Sequence, residues 1–307
     1  MRKKIFITLF LAVFANITGV GIVVPLLPVY AKDLGASGFY IAMIFGVFSL
    51  SRTFLLPLFG KLSDKNGRKP FIVTGLFFYF LVSIAFIFTD TIPGLIFIRF
   101  LHGGASAMLM PVIQAYIGDI TKEGKEGITM GLFNISMFTS LSIGPLLGGF
   151  INEKFSLDAA FFSMGSFALT AFLLALVFLP KVSDENPENK AYKPYRLRTV
   201  VQNSFFLGLV AFRFVYTTCI GIIWCFIPVY ASQNFNMSSG LIGILVMSGV
   251  FTSGIMHAPI GYISDKTDKR FLVAAGGLIC AAGLYLTGKG TDFYSLLGAI
   301  IVFGIGG

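Results

Sequence analysis

The sequence predicts an all-α, polytopic membrane protein, and three observations carry that expectation. Of 307 residues, 56% are hydrophobic and only 12% charged. That is about half the charged share of a soluble domain, too little polar surface to cover a globule of this length. The apolar residues fall into blocks of about 20, the length that crosses roughly 30 Å of hydrocarbon. A pattern also recurs at an offset of about 200 residues, where Pro28-Val29-Tyr30-Ala31 returns as Pro228-Val229-Tyr230-Ala231.

The blocks can be taken in order. Each must be helical, because an unpaired backbone group in hydrocarbon costs several kcal/mol. Met1-Arg2-Lys3-Lys4 followed by Ile5–Tyr30 has the outline of a signal peptide. Its apolar stretch is far longer than a signal core of about 7–15 residues, and no small-residue cleavage site follows. It is therefore expected to remain as span 1. Spans 2 to 6 are Phe39–Gly60, Phe71–Thr89, Pro93–Gly118, Ile128–Ile151 and Ala159–Leu179. Residues 181–203 include Ser183-Asp184-Glu185-Asn186-Pro187 and read as a solvated linker. Spans 7 to 10 are Ser204–Tyr230, Leu241–Ile263, Phe271–Leu286 and Phe293–Gly307.

The expected organisation is a six-span bundle over 1–180, a cytoplasmic linker over 181–203 and an incomplete second bundle over 204–307. About ten spans of an expected twelve are present. By the repeat, the rest of span 10 and spans 11 and 12 should follow Gly307, so a truncated chain is expected.

Charge sets the orientation. Arg2 to Lys4, Lys61 to Lys69, Lys122, Lys125, the linker and Lys266 to Arg270 share one face, while only Lys32, Lys154 and Lys289 lie on the other. The rule that cytoplasmic loops are rich in Lys and Arg puts the first face and the N-terminus in the cytoplasm. The expected location is the cell inner membrane. The net charge of +9 could suggest nucleic acid, but the basic residues flank membrane spans, so nucleic-acid binding is excluded. Cys219, Cys225 and Cys280 all sit inside apolar segments without metal spacing and read as small buried hydrophobes. The 35 Phe suit lipid-facing surface, and the 35 Gly allow close helix packing.

The turn between spans 2 and 3 is Gly60-Lys61-Leu62-Ser63-Asp64-Lys65-Asn66-Gly67-Arg68-Lys69-Pro70. Two glycines permit a tight turn, Pro70 starts a helix, and Asp64 stands alone among cations. A second copy, Gly261-Tyr262-Ile263-Ser264-Asp265-Lys266, is degenerate: Asp268 stands where Gly67 stood, while Lys269 and Arg270 keep the charge. Arg99-Phe100-Leu101-His102-Gly103-Gly104 lies in span 4. A charge at that depth is expensive and usually functional. Gly131, Ser140, Gly144, Pro145, Gly148 and Gly149 lie on span 5, where Gly144 and Gly148 form a small face that admits another helix and Pro145 bends its own.

These motifs resemble those of the major facilitator superfamily, and with the repeat the resemblance covers the whole chain. It implies two parallel six-helix bundles around a central site, moving a small solute by alternating access. In the family's turn motif the Asp contacts a helix terminus of the other half and the Arg pairs with an acid ending span 4. Asp64, Arg68 and Asp119 match those parts, and the resemblance implies that they lock the outward-facing state together with Gly60, Gly67, Gly261, Asp265 and Arg270. It gives Arg99 a part in proton or substrate coupling, with His102 in place of the usual Gln. The span 5 pattern is similar to the antiporter motif, with Ser140 in place of one Gly, and favours efflux.

The expected cavity residues are Asn16, Arg52, Arg99, His102, Gln114 and Arg213. Every acid lies at a span end or in a loop, whereas the interior ionisable groups, Arg52, Arg99, Arg213, His102 and His257, are all basic. A buried carboxylate carrying protons is therefore unsupported, and an anionic or zwitterionic substrate is suggested. The expected partners are a small-molecule substrate, a proton and membrane lipid, around a monomer with no cofactor and no metal. Enzyme function is poorly supported, since no nucleotide loop, metal cluster or Ser/His/Asp arrangement is found. The alternatives are an importer or uniporter of an organic anion or sugar, and an inactive truncated or receptor-like membrane protein.

Overall fold

The computed structural model describes residues 2–122, 124–180, 204–264 and 266–307. The expected linker over 181–203 and the lock residue Asp265 lie outside the described residues. These form twelve helices: α1 Arg2–Val23, α2 Leu26–Asp33, α3 Gly38–Asn66, α4 Arg68–Ile87, α5 Ile92–Ala107, α6 Met110–Ile120, α7 Glu126–Lys154, α8 Leu157–Phe178, α9 Ser204–Phe235, α10 Ser239–Ser264, α11 Lys269–Thr287 and α12 Phe293–Gly306. Nine helical paths among the described residues are long and apolar enough to cross a membrane, and α12 is a shorter apolar helix.

Spans 1 and 4 each remain one membrane path, but the helix is interrupted within both. Span 1 divides at Val24-Pro25 into α1 and α2, and span 4 divides at Met108-Leu109 into α5 and α6. The cause is local. Pro25 and Pro28 lack N–H groups around the first break, and Pro111 follows the second, so ladder bonds are missing at both, although α3, α7, α9 and α10 each carry a single proline without dividing.

In the first half, α1 packs on α7 and α8, α4 on α8, and α3 on α5; in the second, α12 packs on α11 and α10. Across the halves, α7 lies against α10 and α2 against α9. The repeat reappears as contacts. Tyr30 donates its hydroxyl to the Thr89 carbonyl at 2.7 Å, and Tyr230 donates to that of Gly290 at 3.5 Å. A Cβ on Gly103 would fall 2.3 Å from the Phe48 carbonyl oxygen, and one on Gly304 would fall 2.6 Å from that of Gly249. Gly35 (φ +86°) turns the chain between α2 and α3, and Asn236 (φ +48°) does so between α9 and α10.

Two apolar clusters form the interiors. The first runs from Ile5 to Leu179 and also takes in Cys225; the second runs from Ile223 to Phe303. The repeated motif crosses between them: Val29 packs on the second cluster and Val229 on the first. Helix α12 opens on a capping box in which Asp292 accepts from Ser295 N at 2.8 Å. Hydrogen bonds from Ser295 hold the Asp292 carboxyl below its ordinary range. Its contribution to helix initiation is present above the ordinary aspartate pKa and lost as pH falls through the lowered value.

Candidate transport site

The turn between α3 and α4 is built on Gly67 at φ +86°, a left-handed conformation that disfavours a Cβ. It aims Arg68 back at three groups. Arg68 Nε donates to Asp119 Oδ2 at 3.2 Å, Nη1 donates to Ser63 Oγ at 2.9 Å, and the guanidinium also pairs with Asp64. Ser63 in turn donates to the Gly60 carbonyl. This network ties α3, α4 and α6 within one half. The two carboxylates differ in setting: the Asp119 side chain is 17% exposed and that of Asp64 64%. Asp119→Ala should therefore cost about 1.5–3 kcal/mol and Asp64→Ala less than about 1 kcal/mol. Unfolding of the detergent-purified variants checks this, and equal losses would contradict it.

The second copy is built differently. Asp268 has φ −60° and caps α11 by accepting from Arg270 N at 2.9 Å, so this turn does not call for glycine. The Arg270 side chain is exposed. A Cβ on Gly60 or on Gly261 would meet nothing within 4 Å.

Arg99 and His102 are 6% and 2% exposed and sit inside the first half. Arg99 Nε donates to the Ile44 carbonyl at 3.2 Å, and its Nη1 lies 3.2 Å from His102 Nδ1. The guanidinium stands 4.3 Å from the Phe48 ring centroid and 5.0 Å from that of Phe45. Because the guanidinium can only donate, His102 Nδ1 accepts and the proton sits on Nε2. That N–H has no conventional partner. The imidazole lies among the rings of Phe48, Tyr79 and Phe86, whose planes stand at 73–86° to its own.

The remaining expected cavity residues are scattered. Asn16 is buried on α1 with Oδ1 unpartnered, Arg52 is half-buried on α3, and Gln114 is exposed on α6. Arg213 is exposed on α9, its guanidinium 5.6 Å from the Tyr216 ring centroid.

Besides a cavity of about 360 Å³ among α3, α4 and α5, two open where α7 meets α9, α10 and α12, and a third lies within the second half. One of about 200 Å³ is lined by Phe138, Tyr216, Trp224, Ser253 and Phe303 among others. One of about 520 Å³ lies between α7 and α10 and includes Asn134, Phe138, Thr139, Ser142 and His257. A third, of about 280 Å³, shares Ser253 with the first and His257 with the second. His257 rests on Phe138 with ring centroids 4.6 Å apart, and its Nδ1–H donates to the Ser253 carbonyl at 2.6 Å. The sequence reading named His257 as an interior base without placing it in the cavity. It missed Phe138, Tyr216 and the single tryptophan, Trp224, whose rarity was the available signal.

The two ends of the α7–α10 crossing differ. Away from the basic turns, Cβ atoms on Gly149 and Gly243 would fall 2.3 Å from Ser239 O and 2.4 Å from Pro145 O. Toward the basic turns, Gly127, Gly131 and Gly261 have nothing within 4 Å of a Cβ. Among the described residues, backbone-close glycine contacts between α7 and α10 are thus confined to the end away from the basic turns.

A sequence profile described as Major Facilitator Superfamily matches residues 9–307. The chain belongs to the major facilitator superfamily. It is therefore a multi-pass membrane transporter. An uncharacterized MFS-type transporter of Methanocaldococcus jannaschii is 27% identical over all of this chain and 80% of its own length. The quinolone resistance protein NorA of Staphylococcus aureus is 27% identical over 97% of this chain and 76% of its own. Among solved structures, the nucleoside transporter NupG superposes with a TM-score of 0.79 at 12% identity, covering 98% of this chain and 79% of its own. The human organic anion transporter MFSD10 does so at 0.65 and 17%, covering 99% and 85%. Both structural likenesses bear on the fold.

Proposed function

We propose that this major facilitator chain exports a small, flat, drug-like solute by alternating access, with residues 1–180 and 204–307 as the rocking halves and the basic face in the cytoplasm of an inner membrane. The observation that carries the proposal is the pair of cavities between the halves, closed over at the face away from the basic turns by glycine crossings. Aromatic walls from Phe138, Tyr216, Trp224 and Phe303 suit a planar solute. The small-residue face of α7 and the kinship with NorA favour export. Among the described residues, those that line these three cavities include no carboxylate, so a cation would lack a counter-charge from them. A neutral, zwitterionic or anionic solute fits better.

Proton coupling then falls to His257, which lines two of the cavities. His257→Gln should abolish accumulation driven by an imposed pH gradient while leaving downhill exchange intact. Vesicles loaded with a fluorescent quinolone test direction and coupling together: export against a gradient supports the reading, and facilitated entry insensitive to pH supports an importer or uniporter. The organic-anion reading rests on the basic interior. It predicts that Arg99→Ala combined with Arg213→Ala loses anion transport, and survival of that transport rejects it.

A further inference from the structure

We infer that Asn152 and Glu153 are positioning residues that hold the halves shut at the face opposite the basic turns, an inference that rests on the alternating-access reading. The opening turn of any α-helix leaves N–H groups without intrahelical partners. In α10 one of them, Gly240 N, donates to Glu153 Oε2 from the last turn of α7 at 2.9 Å. Beside it, Asn152 Nδ2 donates to Ser239 Oγ at 2.6 Å. The third cap is local, with Leu241 N donating to Ser238 Oγ at 3.4 Å.

The placement of Glu153 is the decisive point. An acid in the last turn of its own helix faces the negative end of that helix's dipole and is unfavourable there. Against the N-terminus of α10 the same carboxylate meets a positive end. Glu153 therefore costs α7 something and stabilises α10, and it does so only while the halves touch. The polar pair sits on a surface already made close by Gly149, Gly240 and Gly243. At the same side of the spans, away from the basic turns, Val29 on α2 packs on the second cluster and Val229 on the first. At the basic face the carboxylate of Asp64 is paired within its own half. The contact thus biases the equilibrium toward closure at its own face, and a bias of this kind must break once per cycle.

The test uses the chain in vesicles, with Cys219, Cys225 and Cys280 replaced by alanine. Asn152→Cys with Ser239→Cys should cross-link on mild oxidation; failure to cross-link overturns the proposal. Labelling of Val29→Cys by a membrane-impermeant maleimide should rise about three- to tenfold when Asn152→Ala and Glu153→Gln are added. Glu153→Asp in place of that pair should give a smaller rise. Unchanged labelling, with the cross-link formed, also overturns it. Labelling of Gly131→Cys at the other face separates the two ideas. A fall that mirrors the Val29 rise supports both. A Val29 rise without that fall leaves the contact standing and removes the rocking motion on which export depends.

Discussion

Gly148→Val should leave almost no monodisperse protein after detergent extraction, while Gly131→Ala, at another position of the same motif, should extract like the parent. The difference lies in what each Cβ would meet. On Gly148 it would fall 2.1 Å from the Ile22 carbonyl oxygen and 2.7 Å from the carbonyl carbon, both backbone atoms of α1. No flexible side chain can move aside, so α1 and α7 must separate along a crossing where Gly21 and Gly144 also touch. Overpacking of this kind costs about 3 kcal/mol, and membrane helices depend on such close approach for their association. At Gly131 there is open space, and alanine is the better helix former by about 1 kcal/mol. Gly149→Val should act differently again. Its Cβ would strike Ser239 O on the other half, so each half should fold while closure at that face is lost. Normal yield from Gly148→Val would mean that the α1–α7 crossing is looser than this structure has it.

These contrasts explain what could be read from the chain. The spans were legible because hydrocarbon admits only long apolar helices, and the repeat was legible because Pro-Val-Tyr-Ala carries four distinct side chains. The rest of the repeat was hidden. Gly35 and Asn236 make the same corner with different residues, because both tolerate a left-handed backbone. Gly103 and Gly304 make the same crossing but are lost among 35 glycines. The breaks at Pro25 and before Pro111 were hidden because membrane helices often carry proline without dividing. The site was harder still. Choosing candidates by charge selected Arg99 and His102, which hydrogen-bond to each other inside one half. The aromatic walls of the cavities look in sequence like any lipid-facing surface. Asn152 and Glu153 act on a helix start 87 residues away, beyond the reach of any local pattern.

Arg99→Ala should lower stability by about 3 kcal/mol, and Arg99→Lys should recover little of it. Alanine strips His102 Nδ1 and the Ile44 carbonyl of their donors in a dry setting and removes the cation between Phe45 and Phe48. Lysine restores charge but not the planar fork that reaches both acceptors while lying across a ring. Two readings of Arg99 then separate. If it is a packing element of the first half, transport per folded molecule should be unchanged in Arg99→Lys, and the loss should appear in thermal unfolding alone. If it takes part in coupling, folded Arg99→Lys should bind solute yet fail to accumulate it. Burial of the guanidinium between α3 and α5, outside the lining of either inter-half cavity, favours the first outcome. His102→Gln supplies the control. Its amide oxygen can accept from Arg99 as Nδ1 does, so a variant that keeps stability and transport together would mean that the imidazole acts as an acceptor and not as a proton carrier.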